Sequence, residues 1–128
     1  MGLSIGMVTV DCAEPAALSG FWSAALDTTV AADYGGEFIM LAPPPRGGPL
    51  LAFQRVPEPR TGKNRLHLDL GAPEGGRHAE VERLVRLGAT VLGERGDPAV
   101  FAWTTLTDPE GNEFCVGENE GITDPAVP

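Results

Sequence analysis

The sequence predicts an α+β protein made of two tandem βαβββ modules. Its hydrophobic pattern indicates a strand, a helix and three further strands, and this order occurs twice within 128 residues. The numbering shows the same repeat, because residues 26–30 (Leu-Asp-Thr-Thr-Val) match residues 87–91 (Leu-Gly-Ala-Thr-Val) at an offset of 61 (87 minus 26). Met7 corresponds to His67 at an offset of 60 (67 minus 7). Such internal repetition indicates one supersecondary unit used twice.

The first module is expected over about residues 4–56. Its first strand is predicted at 5–11, where the side chains alternate between two faces. Pro15 is tolerated in a first helical turn, and apolar residues then recur at helical spacing as far as Leu26. The rest of the module is predicted as three strands and one proline-rich loop: strands at 28–32, 37–41 and 50–56, and the loop at 42–49.

The second module is expected at about 65–117, after a polar linker at 57–64. Its helix is predicted at 77–87 and ends at Gly88, where a glycine favours a helix C-terminus. The remaining segments are predicted as strands, turns and a tail: strands at 65–70, 89–92, 100–106 and 113–117, a charged turn at 93–98, a tight turn at 108–112, and a loose acidic tail at 118–128.

The strand predicted at 65–70 has the clearest pattern in the chain. It reads Arg-Leu-His-Leu-Asp-Leu, so three leucines alternate with three polar residues. Successive side chains of a strand point to opposite faces, which buries the leucines on one side. The pattern therefore predicts that His67 and Asp69 share a polar face.

Composition excludes several classes of partner. The net charge is −9 and the calculated pI is about 4.5, so the surface repels phosphate backbones and anionic membranes. We expect no nucleic-acid partner and no membrane association, and no apolar run is long enough to cross a bilayer. Two cysteines and a start without a secretory signal favour the cytoplasm.

Four segments together resemble a known superfamily: 10–15 (Val-Asp-Cys-Ala-Glu-Pro) running into Phe21-Trp22, 63–70 (Lys-Asn-Arg-Leu-His-Leu-Asp-Leu), 87–89 (Leu-Gly-Ala) and 108–116 (Asp-Pro-Glu-Gly-Asn-Glu-Phe-Cys-Val). With them the chain resembles the vicinal oxygen chelate superfamily, which includes glyoxalase I, bleomycin-resistance proteins, fosfomycin-resistance enzymes and extradiol dioxygenases. It is most similar to the small glyoxalase-like domains. The resemblance spans about residues 4–117 and implies a concave mixed sheet with a small-molecule site in its cup.

The resemblance also implies four candidate metal positions, on the first and last strands of each module: Met7, Gln54, His67 and Cys115. His67 is a standard ligand of the family, whereas Cys115 stands where metal-dependent members usually have glutamate. Methionine is a poor ligand for a hard divalent ion. His67, Cys115 and Gln54 together suit zinc, with nickel, manganese and iron as alternatives. Because two or three standard ligands are replaced, we expect no cofactor.

Other residues are candidates for catalysis or ligand binding. Glu113 shares the strand face of Cys115, so His67 and Glu113 are the candidate catalytic residues. The candidate ligand-binding residues line the same expected cup: Gln54, Asp69, Phe101 and Trp103. Alternative interpretations remain for two of these positions. Cys115 is then a buried small apolar residue, and His67 pairs with a neighbouring charged side chain.

Three functions are compatible with these residues. The first is a metal-assisted lyase or isomerase of the glyoxalase kind, acting on a small carbonyl or oxygenated substrate. The second is a non-catalytic protein that sequesters an aromatic or cationic small molecule, as bleomycin-resistance proteins do. The third is a metal-independent enzyme with His67 and Glu113 as an acid–base pair. Because strand edges would be exposed in a monomer, we expect a homodimer.

Overall fold

The computed structural model of the chain describes residues 2–73, 76–97 and 101–118. The tail predicted to be loose lies, from residue 119 onward, outside these residues. The chain divides between Thr61 and Gly62 into two units, each with a strand, a helix and three strands. The first unit contains β1 (Met7–Cys12), α1 (Pro15–Ala25), β2 (Val30–Tyr34), β3 (Phe38–Leu41) and β4 (Leu50–Arg55); the second contains β5 (Leu68–Ala72), α2 (Arg77–Leu87), β6 (Thr90–Asp97), β7 (Phe101–Thr107) and β8 (Glu113–Glu118).

Each unit forms one mixed four-stranded sheet. The strand orders are β1-β4-β3-β2 in the first unit and β5-β8-β7-β6 in the second. The first and last strands of each unit pair in parallel, and the other neighbours pair antiparallel. The predicted fold class, α+β with tandem βαβββ units, is confirmed.

The helix of each unit covers one face of its own sheet. In the first unit α1 packs against β3 and β4, and Leu18, Trp22 and Phe53 are at most 2% exposed. In the second unit α2 packs against β6 and β8, with Leu84 and Phe114 buried. Removing these side chains from water supplies the main driving force for folding. None of the described helices is long and apolar enough to cross a membrane.

Two predicted boundaries in the second unit are wrong. Strand β5 begins at Leu68 rather than at residue 65, because the backbone N–H of Glu113 bonds the side chain of Asn64 instead of a strand carbonyl. His67 therefore precedes the strand. The turn predicted at 93–98 is largely strand: β6 pairs with β7 as far as Asp97, with a register shift at Gly93. Pairing with a long neighbour overrides the glycine and charge pattern there.

Candidate functional site

The face of the second sheet that lies away from α2 brings polar side chains from three strands into one row. Asp69 on β5 lies opposite Cys115 on β8, and Cys115 lies opposite Thr105 on β7. Neighbouring residues in register point to the same face, so these three side chains project together. Their flanking residues Phe114 and Val116 point to the buried, helix-covered side.

His67 joins this row at the start of β5. Its Nδ1 lies 3.1 Å from Oδ1 of Asp69, and the two side chains are 52% and 57% exposed. Since a carboxylate only accepts hydrogen bonds, the imidazole donates from Nδ1 and keeps Nε2 for another partner. The prediction from alternation that His67 and Asp69 share a face is in agreement with this contact.

Cys115 completes a cluster of three possible metal ligands. One ligand atom each from His67, Asp69 and Cys115 lies within 4.8 Å of the others. His67 and Asp69 are exposed, and Cys115 is buried. The Sγ of Cys115 also lies 3.5 Å from Oγ1 of Thr105. The cluster thus combines a nitrogen, an oxygen and a sulfur donor, with a fixed thiol at its base.

The electrostatic environment keeps the thiol of Cys115 protonated. Burial raises its pKa, the hydrogen bond with Thr105 lowers it, and the charge and hydrogen bond of Asp69 raise it again. The negative charge of Glu113 adds a smaller rise. The net pKa lies above the ordinary thiol value, so binding a metal at this cysteine requires a proton to leave.

A set of polar side chains connects the approach to His67 with β8. Asn64 accepts the backbone N–H of Glu113 at 3.0 Å and donates to Oδ1 of Asn112 at 3.2 Å. Asn112 in turn donates to both carboxylate oxygens of Asp108, at 3.2 and 3.0 Å. Sequence reasoning did not single out Asn64. Its position three residues before His67, next to a predicted Asp-Pro-Glu-Gly-Asn turn, is the signal that points to it.

The tight turn predicted at 108–112 is present, and Asp108 organises it. This residue is 4% exposed and accepts the backbone N–H groups of Glu110 at 2.9 Å and Asn112 at 3.0 Å. Its own backbone N–H donates to the carbonyl of Asn112 at 2.9 Å. The turn delivers Glu113, half-buried, to the first position of β8.

The other predicted ligand-binding residues have different positions. Trp103 is half-buried on β7, two residues from Thr105, and lies opposite Gly117 and Arg95. Alternation therefore sets it on the face of Cys115. The side chain of Phe101 lies outside the described part of the chain. Its role in an aromatic wall stays a prediction.

Gln54 and Met7 belong to the first unit, and their metal-binding roles stay predictions. Gln54 lies opposite Asp11 in the β1–β4 pairing. At the offset of 60 between the first strands, Thr9 corresponds to Asp69 (69 minus 9), and Thr9 pairs with Ala52 as Asp69 pairs with Cys115. Ala52, rather than Gln54, thus corresponds to Cys115. The third donor close to His67 and Cys115 is Asp69.

Comparison with known proteins agrees with this architecture. Residues 7–117 match the family model described as a glyoxalase-like domain. An enzyme of the glyoxalase/bleomycin resistance protein/dioxygenase family from Burkholderia phytofirmans PsJN has a similar structure at 16% identity, with a TM-score of 0.74 over 88% of this chain and 96% of that chain. No match is found among the curated proteins.

Two further structures have the same fold. Lactoylglutathione lyase from Agrobacterium tumefaciens is 14% identical, with a TM-score of 0.69 over 94% of this chain and 96% of that chain. The fosfomycin resistance protein FosX from Listeria monocytogenes is 12% identical, with a TM-score of 0.76 over 91% of this chain and 90% of that chain. Its structure is a complex with Mn(II) and 1S,2S-dihydroxypropylphosphonic acid. At such identities the similarity is one of fold.

Proposed function

This chain belongs to the glyoxalase-like domain family, within the vicinal oxygen chelate superfamily, and from that premise we propose that it is a metal-assisted lyase or isomerase. Its substrate is a small carbonyl or otherwise oxygenated molecule. The observation that carries the proposal is the convergence of His67, Asp69 and Cys115 within 4.8 Å on the face of the second sheet that lies away from α2.

The donor set fits a divalent ion of the zinc type. Imidazole, carboxylate and thiolate are the three side-chain classes that bind zinc in proteins, and three protein ligands leave a fourth position for substrate or water. Bond lengths of about 2.0–2.3 Å put tetrahedral ligand atoms roughly 3.3–3.8 Å apart. The exposed side chains of His67 and Asp69 can close from 4.8 Å by small rotations around the fixed thiol.

A divalent ion in this position would supply Lewis acidity to a substrate oxygen. The residues of the chain supply the rest. Oδ1 of Asp69 accepts from Nδ1 of His67 at 3.1 Å. With an ion bound, Asp69 would exchange this hydrogen bond for the ion, so that its carboxylate and the Nδ1 of His67 would both face it. Glu113 lies two residues before Cys115 on the same strand face, about 6.5 Å along the strand. Its half-buried carboxylate is the candidate base that moves a proton to or from the substrate.

The test is metal stoichiometry on protein purified without a histidine tag. We expect one divalent ion per chain after reconstitution with zinc, measured by elemental analysis, and competition against a chelator to give its affinity. The variants His67→Ala and Cys115→Ser should weaken binding by about 100-fold or more, because each removes one of three ligands. Asp69→Asn should weaken it by at least about 10-fold.

The chain offers a matched control for each ligand class. His78 is a histidine on α2 whose side chain is exposed, and Cys12 is a buried cysteine in the first unit. The variants His78→Ala and Cys12→Ser should bind zinc as the unmodified chain does. Less than one tenth of an ion per chain in the unmodified protein, under conditions where it is folded, would refute the metal-assisted function.

A second function is favoured by Trp103. This aromatic side chain shares a strand face with the acidic residues Asp69 and Glu113, as a site for a cationic aromatic ligand requires. Such a protein would sequester its ligand without turnover. Binding of a cationic aromatic dye that survives chelator and fails in Trp103→Ala would favour this function over the first. Turnover that survives chelator and fails in Glu113→Gln would instead favour an acid–base pair without metal.

A further inference from the structure

The segment that carries His67 is not part of the strand ladder. Strand β5 begins at Leu68, and the residues just before it, Arg65 and Leu66, are exposed, with Leu66 86% accessible. Backbone pairing with β8 therefore holds His67 only from its C-terminal side. The position of its imidazole relative to Cys115 depends on how the N-terminal side of this segment is held.

Asn64 holds that side. Its carboxamide bonds β8 in two directions: Oδ1 accepts the N–H of Glu113, and Nδ2 donates to the side chain of Asn112. Glu113 is the first residue of β8, and Cys115 follows two residues later on the same face. Leu68 pairs with Phe114 in that strand. His67 is thus enclosed between two attachments to the strand that carries the cysteine.

The partner of Asn64 at this attachment, Asn112, is itself held by further hydrogen bonds. The side-chain amide of Asn112 is held from both sides: its Oδ1 accepts from Nδ2 of Asn64, and its Nδ2 donates to the carboxylate of Asp108. Asp108 is almost fully buried and closes the turn through backbone N–H groups. The chain of side chains from Asp108 to Asn64 therefore transmits the geometry of the β7–β8 turn to the segment before His67.

We infer that Asn64 is a positioning residue of the candidate site, which sets the imidazole of His67 against Cys115 without touching a ligand itself. Its effect on metal binding rests on the proposed function. Its effect on the imidazole position does not, and it can be measured in metal-free protein.

Asparagine is the residue that this place requires. Asn64→Ala loses both hydrogen bonds. Asn64→Asp keeps an acceptor for the N–H of Glu113 but turns an acceptor toward Oδ1 of Asn112. Rotating the Asn112 amide to relieve this contact would turn its oxygen toward the carboxylate of Asp108. One of the two contacts is then always unfavourable, so the aspartate variant should lie between the unmodified protein and the alanine variant.

The experiment uses cobalt(II) as a spectroscopic substitute for zinc in the full chain. We expect the dissociation constant for cobalt to rise about 10-fold in Asn64→Ala and less in Asn64→Asp. At saturation, the thiolate-to-cobalt charge-transfer band should persist in Asn64→Ala, and its d–d spectrum should approach that of His67→Ala. The control is Leu84→Ala, which removes a buried side chain from α2 on the other face of the sheet. It should lower stability and leave the cobalt spectrum unchanged.

The second readout is the ¹⁵N shift of the His67 imidazole in metal-free protein, together with hydrogen exchange at the Glu113 amide. Asn64→Ala should shift the His67 signal, leave that of His78 unchanged, and speed exchange at Glu113. If the unmodified chain binds no cobalt but these changes occur, the metal-assisted function fails and the positioning role stands. If the His67 signal of Asn64→Ala is that of the unmodified protein, the positioning role is overturned, whatever the chain binds.

Discussion

Asp108→Ala is expected to destabilise the second unit far more than a typical surface substitution. Asp108 is 4% exposed, and its carboxylate accepts two backbone N–H groups and the side-chain amide of Asn112. A hydrogen bond to a charged group contributes about 1.5–3 kcal/mol, and the three are not additive because water reaches the freed amides. We expect a loss of about 3–5 kcal/mol in the free energy of unfolding.

The control is an aspartate with the same turn-closing role but in water. Asp33, in the first unit, accepts the N–H of Gly36 at 2.8 Å and is exposed. Asp33→Ala should therefore cost only about 0.5–1.5 kcal/mol. The ratio between the two losses reflects burial and the number of hydrogen bonds rather than the residue type.

Urea unfolding measured by tryptophan fluorescence separates the two units. The chain has two tryptophans, Trp22 in the first unit and Trp103 in the second, so a Trp22→Phe background leaves Trp103 as the reporter of the second unit. In that background Asp108→Ala should move the midpoint strongly at unchanged slope. A loss below about 1 kcal/mol would refute the reasoning, because it would mean that the buried carboxylate contributes no more than an exposed one.

Three further outcomes are expected. Because the pKa of Cys115 is raised, its thiol should react slowly with iodoacetamide at neutral pH in a Cys12→Ser background. The same thiol ionises at lower pH in the unfolded chain than in the folded chain, so the free energy of unfolding should fall above about pH 8.5. Cys115→Ser should abolish that fall in denaturant titrations across pH. Gly88→Ala should lower the free energy of unfolding by about 1–2 kcal/mol in thermal or urea unfolding. The reason is that Gly88 has a φ of 126° and an added Cβ would lie 3.4 Å from Pro109. A loss near zero would contradict this. Light scattering should give twice the chain mass of 13.4 kDa, and a mass of one chain would overturn the expected homodimer.

Alternation along the sequence predicted correctly that His67 and Asp69 share a face, but it was wrong for Leu66, which was expected to be buried and is 86% exposed because it precedes β5. The pattern at 65–70 put His67 and Asp69 together, and they lie 3.1 Å apart. Spacing at helical period predicted α2 with the bounds that the structure has, Arg77–Leu87. These features are local, since a strand or a helix directs its side chains by its own geometry.

Register between strands could not be predicted in the same way. Sequence reasoning did not propose Asp69 as a metal ligand, although it lies near Cys115 because β5 and β8 pair in parallel at that level; the metal-binding role of Gln54 stays a prediction. The length of β6 was missed for the same reason, since its partner β7 determines it. The role of Asn64 depends on a hydrogen bond between residues 49 positions apart, which no local pattern encodes.

The correspondence between the two pairings has a consequence for how such a chain diversifies. Where the second unit has His67, Asp69 and Cys115, the first has Met7, Thr9 and Ala52 at matching places. The second unit thus carries metal donors that the first unit lacks. The first unit is therefore not constrained to keep donor residues at these positions. Substituting Met7→His, Thr9→Asp and Ala52→Cys in one chain would transplant the donor set onto the sister scaffold. The two units therefore have the same strand order although only the second carries this donor set.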